Sequence, residues 1–170
     1  MTRILTAVLL VFITALSAMA ERPRPLGWAM EAMRNGNWQV AGQLAARDGQ
    51  VAADVIEWQR LRAGRGTYAD VINFLNRRPD WPGEAYLRKQ SEDAVLTQDD
   101  TAVLSFFEGR DPQTPRGVLA FADALISANR LGEAQARLVL AWRTMSMSGT
   151  SQALFLADHD ALLKPHHAAR

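Results

Sequence analysis

Apolar residues recur along this chain at helical spacing, in short runs that each end in a turn or a cap, and this pattern restricts the fold to packed helices. Val51, Val55, Trp58 and Leu61 fall on one side of a helix, with Gln50, Asp54, Glu57 and Arg60 opposite. Gly64 and Gly66 end that run. Tyr68, Val71, Ile72 and Leu75 form the next stripe, preceded by Thr67 as N-cap with Asp70 three residues on, a capping-box spacing. Thr97 and Asp100 repeat the device before Val103, Leu104 and Phe107. Thr114-Pro115 supplies an N-cap followed by proline at the first helical position, and Val118, Phe121, Ala122 and Leu125 share one face of the helix it starts. Ala134, Leu138, Ala141 and Met145 give another stripe. No segment alternates apolar and polar residues between turn signals, so the predicted class is all-α, with roughly eight or nine helices.

The turns have a loose period. Asn35-Gly36-Asn37, Gly64-Arg65-Gly66, Gly109-Arg110-Asp111 and Asn129-Arg130-Leu131-Gly132 each separate two helical runs. Several helix starts fall roughly 30 to 35 residues apart, the range of tetratricopeptide-like helical pairs. Ala128-Asn-Arg-Leu-Gly-Glu-Ala134 matches the turn and helix start of such a pair best. The expected architecture is a degenerate α-solenoid in which each hairpin buries its stripe against its neighbours, with an ordinary helical bundle as the alternative.

Two segments precede this region. Arg3 is a positive n-region, Ile4 to Leu16 an apolar core, and Ala18-Met19-Ala20 a small-x-small site, which together read as a secretory signal at 1–20 cleaved after Ala20. The apolar part is about a dozen residues, short for a permanent span, so no stable membrane anchor is expected. Glu21-Arg-Pro-Arg-Pro25 is expected to be extended, because each proline disfavours helix at the residue before it. The mature part, 21–170, is the size of one domain. With no cysteine it has no disulfide, thiolate ligand or thiol nucleophile. Removing Arg3 leaves 18 basic and 18 acidic side chains (19 − 1 and 18), a balance that argues against nucleic acid as partner.

The search for chemistry finds little. His159, His166 and His167 lie near the end. Asp158 and His159 are helix neighbours that point in different directions, so they make poor co-ligands, and no metal or other cofactor is expected. Ser146, Ser148 and Ser151 sit with Gly149 in a turn-like stretch, and neither a nucleophile elbow nor a phosphate loop is present. Glu57 falls on the polar side of its helix. Glu92-Asp93 and Asp99-Asp100 read as helix-end and capping charges. Trp58 and Trp142 fall on or beside apolar stripes and are assigned to the core, whereas Trp81, in Asp80-Trp81-Pro82, is a loop residue free to contact a sugar ring. Arg60, Arg62 and Arg65 cluster, as do Arg77 and Arg78, with Glu57, Asp70 and Asp80 interleaved, a pattern usual for a solvated mixed-charge face.

Read in order, Ile56-Glu-Trp-Gln-Arg-Leu-Arg62, Tyr68-Ala-Asp-Val71, Phe74-Leu-Asn-Arg-Arg-Pro-Asp-Trp-Pro82, Leu87-Arg88-Lys89-Gln90 with Glu92, Phe106-Phe107, Ala141-Trp142-Arg143 and Phe155-Leu-Ala-Asp-His159 resemble the N-terminal part of soluble lytic murein transglycosylases from Gram-negative bacteria. Leu162-Leu163 and His166-His167-Ala-Ala-Arg170 continue the likeness. The resemblance implies a U-shaped superhelix of α-hairpins in the periplasm. It also implies a separate C-terminal lysozyme-like domain, beyond Arg170, that cleaves the bond between N-acetylmuramic acid and N-acetylglucosamine and leaves 1,6-anhydro ends. The family's Glu-Ser pair and Gly-Leu-Met-Gln-like segment match no position here, so no catalytic residue is carried over and these residues alone are expected to be inactive. Partners implied are peptidoglycan glycan strands and the chain's own catalytic domain. Arg60, Arg62, Arg65, Arg77, Arg78 and Trp81 are the candidate glycan contacts. The alternative is a stand-alone periplasmic solenoid that binds proteins, since fold alone does not decide function.

Overall fold

The computed structural model describes residues 24–169, so the signal read at 1–20 lies outside the described residues. Within them the chain forms nine α-helices: α1 (Pro25–Arg34), α2 (Trp38–Ala46), α3 (Gln50–Arg62), α4 (Tyr68–Arg77), α5 (Glu84–Val95), α6 (Asp100–Phe106), α7 (Pro115–Ser127), α8 (Leu131–Thr144) and α9 (Gly149–Leu163). A short 3-10 segment, Lys164–Ala169, follows. Among the described residues there is no strand.

Side-chain caps set most of these starts. The Thr67 hydroxyl accepts from the Asp70 N–H at 3.2 Å while the Asp70 carboxylate accepts from the Thr67 N–H at 3.0 Å, closing the predicted capping box. That backbone donor, more than the nearby Arg60, holds the Asp70 carboxyl below its ordinary value. Thr114 caps α7 through the Gly117 N–H at 3.0 Å, with Pro115 behind it. Ser148, read as a loop residue, caps α9 through the Ser151 N–H at 3.1 Å. The cap of α6 is Asp99, which accepts from the Ala102 N–H at 2.8 Å. The expected Thr97 cap is two residues too early, because the helix starts at Asp100 and its third-residue N–H falls to Asp99. Between α7 and α8 the chain reverses at Asn129, with φ of +60°, a left-handed position that asparagine tolerates.

We expect Thr67→Ala to lower the unfolding free energy by about 1 kcal/mol, the usual worth of an N-cap. Urea titration checks this. The Asp70 contribution should be present at neutral pH and fade as pH falls through its depressed folded value, because the unfolded chain then binds the proton first.

The chain divides into two compact units, one ending at Ile56 and one beginning at Glu57. In the first, α1 packs on α2. Its core is Ala29, Ala41, Ala45, Ala52 and Ile56, with Leu26, Met30, Met33 and Leu44 against it. The alanines let the helices approach closely. This overturns the stripe assigned to the start of α3. Val51 is 65% exposed, while Ala52, Asp54 and Ile56 are buried. Small residues carry this face, so a reading weighted to Val and Leu selected the wrong side, and Asp54, placed on the polar side, is buried and bonded by Gln50 Nε2 at 2.9 Å.

The second unit has a larger, aromatic core that includes Leu61, Val71, Phe74, Leu87, Phe106, Phe107, Phe121, Leu125, Leu138, Trp142, Phe155 and Leu163. Here the predicted stripes of α7 and α8 are the buried ones, apart from Met145, which caps α8 and is half-buried. Each helix from α4 to α9 packs on its neighbour in the chain, and α5 on α7 and α7 on α9 add contacts one helix further on.

Candidate functional site

The arginine-rich region lies in the second unit and is built from the last turns of α3, the end of α4, the loop 78–83 and the start of α5. Trp58 and Arg62 are four residues apart, so they share a helix face. The Arg62 guanidinium lies 4.4 Å from the centre of the Trp58 ring and 4.9 Å from that of Tyr86. After α4 the Trp81 N–H bonds the Arg78 carbonyl at 3.2 Å, and this turn folds the Trp81 ring back edge-to-face on Phe74 (5.7 Å) and Trp58 (6.5 Å). Arg78 stands over Trp81 at 5.7 Å and Arg77 over Phe74 at 5.6 Å. Cations over ring faces in this way gain from the ring quadrupole. Trp58 Nε1 and Arg62 Nε are buried and make no hydrogen bond to the protein.

Of the six candidate contacts, Arg62, Arg77, Arg78 and Trp81 therefore share one aromatic cluster. Arg77 is also bonded to Glu57 at 2.5 Å, which keeps Glu57 on a charged surface as expected. Arg60 is taken up elsewhere, bonding Asp70 at 3.2 Å and the Arg65 carbonyl at 2.8 Å. Arg65 is exposed in the turn after α3. Trp58, assigned to the core, is half-buried and packs against it. Tyr86, 47% exposed, escaped the sequence reading, since nothing in its neighbourhood marks it as facing α3.

A second feature is a groove of about 650 Å³ between α6, the 107–111 loop, α7 and α8. Another of about 460 Å³ adjoins it and shares Ser105, Glu108 and Arg110. Ion pairs line both. Arg130 bonds Glu133 at 2.7 Å, Arg137 pairs with Asp111 and with Glu133, and Glu84 takes both Arg88 (2.7 Å) and Arg110 (3.2 Å). The spacing of Arg130, Glu133 and Arg137 is a legible helix-face signal. Their meeting with Asp111 and Arg110 is not, because it depends on how the 107–111 loop lies.

Glu92 corrects a further expectation. Read as a helix-end charge, it is 2% exposed, and its carboxylate accepts from the Gln113 N–H (2.6 Å), the Thr114 N–H (2.8 Å) and the Thr114 hydroxyl (2.5 Å). It thus ties α5 to the N-terminus of α7. Burial pushes its carboxyl above the ordinary value, against these donors. Space is tight here, since a Cβ on Gly117 would stand 2.4 Å from Glu92 Oε2.

Among the described residues no group of three or more His, Asp or Glu side chains is placed to hold a metal ion, and no helix is long and apolar enough to cross a membrane. No protein-family model matches this chain, and neither a curated protein nor a solved structure matches it.

Proposed function

We propose that these residues are the opening scaffold of a periplasmic lytic transglycosylase, a superhelix of hairpins that guides glycan strands while a separate domain performs the cleavage. The observation that carries this reading is the fate of the segment Phe74–Pro82, the longest stretch of the family likeness. It folds into the cluster in which Trp81, Arg77 and Arg78 meet Trp58 and Arg62. Indole and phenol faces stack on sugar rings, and guanidinium donors suit the carboxylates and acetamido oxygens of peptidoglycan. The packing of each helix on its neighbours, with added contacts one helix on, supports a solenoid-like arrangement within the second unit.

The test is sedimentation of the purified chain with peptidoglycan sacculi, with the supernatant assayed for anhydromuropeptides. We expect retention on the sacculi, about tenfold weaker binding for Arg78→Glu or Trp81→Ala, and no anhydromuropeptide release. Release of such products would overturn the scaffold reading, and equal retention of the variants would remove the cluster from it. The partner-binding alternative draws on one observation, the apolar strip of Ala136, Val139 and Leu140 on α8, where Leu140 is exposed. A chain that ignores sacculi but loses its self-association or partner binding on Leu140→Glu would select that reading.

A further inference from the structure

The groove along α6, α7 and α8 has a chemistry unlike that of the aromatic cluster. Its charged lining is balanced, with Arg110, Arg130 and Arg137 against Glu108, Asp111 and Glu133. A polyanion such as nucleic acid needs a surplus of cations, which this groove lacks. A sugar strand needs an exposed ring face, and the groove's rings, Phe107 and Phe121, are buried in the core. What remains is a ligand with both signs of charge.

The side chains are unequally committed. Arg137 lies over the Phe121 ring at 5.9 Å and is held by Asp111 and Glu133, so it is part of the wall. Arg110 and Arg130 are about half exposed (50% and 51%). Arg110 donates from one terminal nitrogen to Glu84 and from the other to the Glu108 carbonyl at 3.4 Å, and Arg130 gives Nε and one terminal nitrogen to Glu133, which leaves part of each guanidinium's five N–H donors for a ligand. The Glu108 carboxylate, where the two grooves join, is exposed, and it forms no ion pair among the described residues.

We propose that this groove binds a short extended peptide with free termini, its carboxylate met by Arg110 and Arg130 and its ammonium by Glu108. The site is separate from the Trp81 cluster and does not rest on the glycan reading.

The experiment is a titration of the full ¹⁵N-labelled chain with tetra-alanine bearing free termini, followed by amide chemical shifts, and repeated with the N-acetylated, C-amidated peptide. We expect saturable shifts at Ser105, Glu108, Arg110 and Arg130, and at least a roughly tenfold loss of affinity on blocking the termini. Arg110→Gln and Glu108→Gln should each weaken binding severalfold. The ligand-side comparison stands even where a variant folds poorly. Equal binding of the blocked peptide, shifts confined to other surfaces, or no saturation by about 10 mM peptide would each overturn the proposal.

Discussion

Replacing Glu92 by alanine is expected to lower the unfolding free energy by about 3 kcal/mol. The substitution takes the acceptor from the part-buried N–H groups of Gln113 and Thr114 and removes the anchor of the α7 N-terminus. Hydrogen bonds to a charged group are worth about 1.5–3 kcal/mol each, and part-buried donors recover only some of that from water, so the total exceeds that of an ordinary surface change. Glu92→Gln keeps the shape but turns one acceptor into a donor that faces an N–H or the Thr114 hydroxyl, and should cost somewhat less. Urea unfolding followed by circular dichroism checks both, and a change within about 0.5 kcal/mol for alanine would show that the carboxylate carries no net stabilisation.

The same carboxyl has a pH signature. Its folded value lies above the ordinary 4.5, so between those two values the folded chain holds the proton that the unfolded chain has lost. Stability must therefore fall as pH rises through that window. Comparing wild type with Glu92→Gln isolates this limb, since the Asp70 effect, of opposite sign, is common to both. A wild-type minus Gln difference that grows with pH would contradict the burial argument.

The second large effect is expected at Trp142. This indole is 3% exposed, tilted over Phe155 at 6.3 Å and over His167 at 5.4 Å, and it joins α8, α9 and the 3-10 segment. Trp142→Ala should cost about 3–5 kcal/mol, the transfer loss plus the cavity left behind. Val51→Ala serves as control, because a side chain 65% exposed should change stability by no more than about 0.5 kcal/mol. A cost near that of the control would place Trp142 outside the core.

How far the residues announced this architecture varies by element. The capping box of Thr67 and Asp70, the Thr114-Pro115 start and the buried stripes of α7 and α8 were legible, since caps and helical period act over three to four residues and need no distant partner. The start of α3 was not, because alanine forms the buried face there and hydropathy favours Val51. Within the candidate site, the i,i+4 pairing of Trp58 and Arg62 was available in the spacing. Tyr86 and Phe74 entered only through the turn at 78–83.

What the sequence by itself determined is the all-helical class, the helix starts at Thr67 and Thr114 and the balanced charge. Those properties belong to single residues and short windows. The tertiary structure alone decided that Glu92 is buried, that Asp54 is inside, that Arg60 bonds Asp70 while Arg62 lies between two rings, and that the ion pairs of the 107–111 loop line a groove. Each of these depends on side chains some ten or more residues apart or on the face a helix turns inward, and packing sets both.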